Sequence, residues 1–373
     1  MNNVKAFLVG GAVRDKLMGL KPKDFDYVVV GSNGSELMAL GFEQVGMGFP
    51  VFLHPYTGEE YALARREKKV GAGYTGFEFE TGLDVTLKED LARRDLTINS
   101  MARDEAGNLV DPFHGQRDLK DKVLRHTSDA FGEDPLRVVR LARFFARYDT
   151  FTVADETMTL CAEMVDRGDL DELPDERFWR EIEKAFADGC TARFWELLFE
   201  VGALQKVDFF KRLMGTNWMP GRFMHVIQMA NAFSRLTCFT KEETPNMFAA
   251  AIAPNQVFGL FNSSDAGRVY EALQRVRLLP VNYTALDMHE LIMSVRGYSD
   301  DNATLDQLSS VLCAMAVAGD FLPVCAKNLR EVAVAGRQIT AQPFIDFGHK
   351  GKAIGDAMAL ARVKLIETMM PNL

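Results

Sequence analysis

Phe7-Leu8-Val9-Gly10-Gly11-Ala12-Val13-Arg14-Asp15, followed by Lys23-Asp24-Phe25-Asp26-Tyr27-Val28-Val29-Val30, reads as strand, glycine turn, short helix and strand. Residues i and i+2 of a strand point to the same face, so Asp24 and Asp26 are expected to present two carboxylates side by side. Such a pair is costly unless a cation sits between the two charges. Hard oxygen donors of this kind suit Mg²⁺ held together with substrate phosphates. Just upstream, Gly10 and Gly11 let backbone N–H groups approach an anion at a helix N-terminus. A metal site beside a phosphate site points to nucleotide chemistry.

Around this stretch the chain mixes strands, turns and short helices up to about residue 130. The strands expected are Ala6–Val9, Tyr27–Val30, Phe42–Val45, Val51–Leu53, Glu60–Ala64 and Asn108–Val110. Beyond Phe131 the pattern turns helical. Asp134-Pro135-Leu136-Arg137 reads as an N-cap followed by proline at the first helical position, opening a helix to about Tyr148. Further helices are expected over Asp155–Arg167 and Asp175–Ala187, and throughout from about Met224. The fold class is therefore α+β, a small mixed-sheet head followed by helices. Domain boundaries are placed at 1–140, 141–210 and 211–373, within the two or three domains that 373 residues allow.

Composition narrows the function classes. Apolar residues make up 47% and charged residues 25%, ordinary for a soluble globular chain. No apolar run is long enough to span a bilayer, and the N-terminus carries no signal-peptide pattern. The five cysteines lack zinc spacing, which fits a reduced cytoplasmic protein. A net charge of −9 argues against general adhesion to nucleic acid, yet a local basic strip can still carry phosphate contacts.

Several further motifs carry chemistry. Gly71-Ala72-Gly73-Tyr74-Thr75-Gly76 matches G-x-G-x-x-G literally, but charged residues precede it where the dinucleotide fingerprint needs a strand, so it reads as a mobile loop. Glu60 lies in a segment that fits beside the Asp24/Asp26 strand, and either faces the metals or ends a solvated strand. Arg94, within Arg93-Arg94-Asp95-Leu96-Thr97-Ile98-Asn99, suits a triphosphate because guanidinium matches phosphate geometry. Arg137, Arg140, Arg143 and Arg147 form one basic stripe on a helix face. Like charges crowded on one face imply an anionic partner.

Taken in order, these motifs resemble the CCA-adding enzymes, the class II tRNA nucleotidyltransferases, and most closely the bacterial form with a C-terminal HD-type domain. Gly10–Asp15, Asp24-Phe25-Asp26, Gly48–Pro55, Arg93–Asn99, Asp111-Pro112-Phe113 with Gly115 and Asp118-Leu119, and Glu133–Arg137 carry the likeness. It is dense to about residue 205 and thin beyond. The resemblance implies that Asp24 and Asp26 bind two Mg²⁺ ions and that Gly11, Arg14 and Arg94 hold the triphosphate. It implies that Asp134 and Arg137 face the base while Arg140 and Arg143 complete the nucleotide pocket. It also implies that Lys68–Gly76 is a loop used in switching from C to A. Partners would be tRNA, CTP and ATP, with no membrane, the chain acting as a monomer or homodimer. Cytosine and adenine each show an exocyclic amine beside a ring-nitrogen acceptor, so an accepting carboxylate and a donating guanidinium suit C and A and mismatch U and G.

The C-terminal part departs from the pattern. Ala253 and Pro254, in Phe248–Gln256, stand where the HD-type relatives have a His-Asp metal pair. His225 and His289 remain, but two isolated histidines do not make a metal site. A degenerate helical HD-like domain is expected. The function expected is addition or repair of the tRNA CCA end. The alternatives are a CC- or A-adding enzyme, a poly(A) polymerase of the same superfamily, or an RNA-binding protein that has lost catalysis.

Overall fold

The computed structural model describes residues 4–45, 51–69, 77–189, 192–214, 220–233, 248, 251, 264–280, 282–299, 303–318, 322 and 324–370. Residues 48–50, the glycine-rich stretch 71–76, and Ala253 and Pro254 lie outside the described residues.

Strands β1 (Lys5–Val9), β2 (Asp26–Val30), β3 (Glu43–Val45), β4 (Val51–Leu53), β5 (Glu60–Leu63), β8 (Ala102–Arg103) and β9 (Leu109–Val110) form one sheet in the order β3-β4-β5-β2-β1-β8-β9. Strand β2 runs antiparallel to β1 and parallel to β5, so the sheet is mixed. Alternation sorts its side chains. Val9 and Val28 join Ala64, Val85, Leu91 and Ala102 in one cluster. Their neighbours face the other way, Leu8 into a cluster with Ala12, Val13 and Met101, and Val29 into one with Leu37, Phe52 and Leu63. Each Val, Leu, Phe or Met among them contributes about 1.5–3 kcal/mol when taken fully out of water. Helix α1 (Gly11–Leu17) buries Ala12 and Val13, and the left-handed Gly19 (φ +71) follows its end.

Between β5 and β8 the chain forms a hairpin of β6 (Arg65–Lys69) and β7 (Phe77–Thr81), where the sequence suggests only a charged stretch before the glycines. Arg-Arg-Glu-Lys-Lys carries no apolar alternation. Its first residues are fixed by charge, with Arg66 bridging Asp84 at 2.9 Å and Glu89 at 2.9 Å. Helices α2 (Gly34–Ala39), α3 (Leu87–Ala92) and α4 (Gly115–Asp121) complete the head. Thr86 and Glu89 close a capping box at the start of α3.

Helix α5 spans Leu136–Arg147, starting one residue later than the reading from the sequence because Pro135 takes the cap position. Asp134 still serves its N-terminus, its carboxylate accepting from the Leu136 N–H at 3.2 Å. Helices α6 (Asp155–Asp166) and α7 (Asp175–Ala187) follow. The chain divides into two compact units, Met1–Glu181 with Leu197–Phe209, and Ile182–Glu196 with Phe210–Leu373.

The second unit is helical among its described residues, including Ser264–Leu278, Ala285–Ser294, Ala303–Val317, Ala326–Arg337 and Lys352–Met369. Trp195 stacks on Phe248 at 5.2 Å and meets Phe194 edge-on at 4.9 Å, so aromatic rings fill much of its core. His289 is buried there, its Nδ1 3.1 Å from the Tyr298 hydroxyl, and burial followed by the Arg362 charge pushes its pKa down. Among the described residues no helix is long and apolar enough to cross a membrane.

Candidate active site

The turn between β1 and α1 depends on one glycine. Gly10 has φ +67, a conformation that side chains with a Cβ rarely adopt, and an added Cβ would stand 3.0 Å from the Arg94 guanidinium. The bare backbone therefore lets Arg94 lie against the turn. Across the strand pair, Val9 is in register with Asp26, which brings the first residue of β2 beside the same turn. Asp24 precedes the strand instead of lying in it, and both carboxylates are exposed. Phe25 between them packs into the Leu8, Ala12, Val13 and Met101 cluster. Burial raises the Asp26 pKa, Asp24 raises it further, and Arg94 opposes both. The two acids and Arg94 thus act on one another. Glu60 is the register partner of Asp26 on β5; it is exposed and does not line the cleft described next.

A cleft of about 770 Å³ opens over this turn. Gly11, Arg14, Asp26, Arg94, Asp134, Arg137, Arg140 and Arg143 all line it, so eight of the residues singled out from sequence converge. Its walls carry nine arginines and four carboxylates, an excess of five positive charges in a chain of net charge −9. Such local focusing attracts a polyanion despite the acidic whole.

The arginines are held by partners that the sequence reading did not assign. Asp90, on the last turn of α3 and shut off from solvent, accepts from Arg93 at 2.6 Å and from Arg94 at 3.1 Å. Arg14 donates to Asn99 at 2.6 Å and to Asp15 at 2.7 Å, and its guanidinium lies 5.6 Å from the centres of the Phe144 and Tyr148 rings. Asp95 accepts from Asn99 at 3.0 Å and from Arg140 at 2.6 Å. Burial alone would raise the Asp95 pKa, but the Arg140 charge and bonds from Asn99, Arg140 and the Leu96 N–H hold it well below the usual carboxylate range. The Asp95 charge, foremost, raises Arg140 in turn. Arg143 donates to buried Glu181 of α7 at 2.7 Å.

Asp134, just before α5, and Arg137, in its first turn, also line the cleft. Arg137 donates to the carbonyls of Ala130 and Arg93, both at 2.6 Å, which fixes its planar head. Asp134 faces Arg177 of α7 at 3.3 Å. Asp90, Arg177 and Glu181 were missed by the sequence reading. The i,i+3 and i,i+4 spacing of Asp90 to Arg93 and Arg94 was a visible signal. Arg177 and Glu181 share a face of α7 at i,i+4, but nothing local says which arginine or carboxylate they meet.

The Asp111–Asp118 motif serves as scaffold. Asp111 accepts from the N–H groups of Gly115 and Gln116 at 2.7 and 2.9 Å, and Asp118 accepts from Thr97 at 2.8 Å. A Cβ on Gly115 would stand 2.2 Å from the Thr97 carbonyl oxygen, so glycine there lets α4 approach the Thr97–Asn99 segment.

A mixed-sheet head with a glycine turn, an acid pair and an arginine-lined cleft defines a nucleotidyltransferase. The family described as "Poly A polymerase head domain" matches residues 6–125, and "Probable RNA and SrmB-binding site of polymerase A" matches residues 150–208. The CCA-adding enzyme of Marinobacter nauticus is 40% identical, the match covering 97% of this chain and 98% of that protein. A CCA-adding enzyme solved in complex with ATP shares the fold at TM-score 0.67 and 20% identity, over 98% of this chain and 86% of that one. The Thermotoga maritima CCA-adding enzyme complexed with tRNA does so at TM-score 0.62 and 21% identity, over 98% and 88%. The chain belongs to the CCA-adding enzyme family and is with it a tRNA nucleotidyltransferase.

Proposed function

We propose that this chain adds or repairs the 3′-terminal CCA of tRNA from CTP and ATP, in a cytoplasmic setting, with the base chosen by protein side chains. One observation carries the reading: Asp26, Arg14, Arg94, Asp134 and Arg137 line a single cationic cleft. The names of its relatives, which concern CCA addition, ATP and tRNA, point the same way. The division proposed is a catalytic head at 1–140, a neck at 141–210 that meets nucleotide and tRNA, and a helical remainder.

Asp24 and Asp26 fit a divalent cation. They are exposed oxygen donors two residues apart, and Asp24 adds to the rise that burial gives the Asp26 pKa while Arg94 opposes it. Mg²⁺ is usually bound by one or two carboxylates plus substrate phosphates, a demand that Asp24 and Asp26 can meet. Two such ions, when bound, would supply activation of the attacking oxygen and neutralisation of the leaving group.

The chain's own residues do the rest. Arg94, set by Asp90, and Arg14, set by Asn99 and Asp15, bind the triphosphate. The tRNA 3′-hydroxyl oxygen bonds to the α-phosphorus and gives up its proton to solvent, the α-phosphorus bond to the α,β-bridging oxygen breaks, and pyrophosphate leaves with the charge that the arginines balance. Asp134 accepts from the exocyclic amine of C or A, and Arg137 donates to the neighbouring ring nitrogen.

Replacing Asp26 with Asn tests the assignment. Transfer should fall by at least about a thousandfold with the loss of the clamp, while the melting temperature stays close to wild type because the side chain is exposed. Near-normal incorporation by the purified variant would rule the acid pair out.

A further inference from the structure

Asp134 does not stand alone in the cleft. Its Oδ1 accepts from the Leu136 N–H at 3.2 Å, and Arg177 Nη2 lies 3.3 Å from both of its oxygens. Arg177 comes from α7, far along the chain, within the segment 150–208 that the second family description matches, whereas Asp134 falls between the two matched segments. One turn on, Glu181 of the same helix takes Arg143 of α5. Helix α7 thus meets α5 at Arg143 and, just ahead of α5, the carboxylate assigned to the base.

The torsion that sets a carboxylate plane is broad and nearly two-fold, so an aspartate held at one point can still swing. A guanidinium nitrogen straddling both oxygens, with a backbone N–H on one of them, removes that freedom. We infer that Arg177 is a specificity-positioning residue: it orients the Asp134 carboxylate so that the acceptor lone pairs left over meet the exocyclic amine of C or A. This rests on the base-reading role given to Asp134 above. It assigns to α7 a part in nucleotide choice that is separate from phosphate binding.

The experiment uses the full chain and single-nucleotide incorporation. Acceptor tRNA ending before CCA is offered CTP or UTP, and acceptor ending in CC is offered ATP or GTP. For each, kcat/KM is measured together with inhibition by pyrophosphate, for wild type, Arg177→Gln, Arg177→Lys and Asp134→Ala. Arg177→Gln should lower both selectivity ratios about tenfold or more, as misplacement of a positioned group does, with pyrophosphate inhibition within about twofold of wild type because the phosphate contacts are untouched. Arg177→Lys keeps the charge without the planar head and should lose less selectivity. It decides alone if Arg177→Gln cannot be recovered folded. Unchanged selectivity in the Arg177 variants, or selectivity lost only in step with pyrophosphate affinity, overturns the inference, and the base-reading role stands if Asp134→Ala still loses its selectivity. Wild-type selectivity in Asp134→Ala overturns the base reading itself.

Discussion

Asp95 shows what the site costs at the scale of one residue. It is almost fully enclosed and holds Arg140 and Asn99 together. Replacing it with Asn leaves Arg140 without its nearest countercharge, a change of the kind that costs about 3–5 kcal/mol when a buried pair is broken. Thermal or denaturant unfolding measures that loss. The sign with pH follows from its depressed folded pKa. The stability it contributes is present above the unfolded value of about 3.9 and is lost as pH falls through the folded value. Wild type should therefore lose stability on acidification more steeply than Asp95→Asn. That Asp26, Arg94, Asp134 and Arg137 belong together was legible in the sequence because they sit in short motifs with local geometry, whereas Asp24 does not line the cleft they share. Arg177 and Glu181 were not, because their meaning lies in what α7 packs against, and a lone helix carries no record of it.

At the scale of elements, the β1–α1 turn joins fold and site. Gly10→Ala should destabilise the head by about 1–3 kcal/mol, the cost of forcing a side chain into so sparsely populated a backbone region. The new Cβ also presses on Arg94. The Michaelis constants for CTP and ATP should both rise, and kinetics on the folded variant would check this. Equal constants with a lowered melting temperature would confine the glycine to folding. Strand positions were readable where short, nearly continuous apolar runs are bounded by turn or charged residues, as in β1 and β2. The β6–β7 hairpin was not, since the sequence Arg65–Lys69 carries no apolar alternation to announce it, while Arg66 pairs with Asp84 and Glu89. The start of α5 lies one residue beyond the sequence expectation, with Pro135 at the cap and Asp134 ahead of it accepting from the Leu136 N–H.

On the scale of the whole molecule, an acidic chain concentrates its positive charge in one cleft, and the net charge alone gave no hint of that. The second unit carries His289 locked against Tyr298, and the sequence resemblance leads us to expect Ala253 and Pro254 in place of an HD-type metal pair. A metal phosphohydrolase needs several His and Asp ligands around an open position. The chain should therefore show no hydrolysis of 2′,3′-cyclic nucleotides with added Ni²⁺, Co²⁺ or Mn²⁺. Turnover that survives Asp26→Asn would reveal a second active site.

The central claim is that one protein-lined cleft chooses C, C and then A without a template. Its most direct test offers each nucleotide separately to tRNA transcripts ending before CCA, after C and after CC. The account predicts CTP incorporation on the first two, ATP on the third, and little UTP or GTP on any. Incorporation of UTP or GTP at comparable rates, or of ATP regardless of the 3′ end, would contradict it.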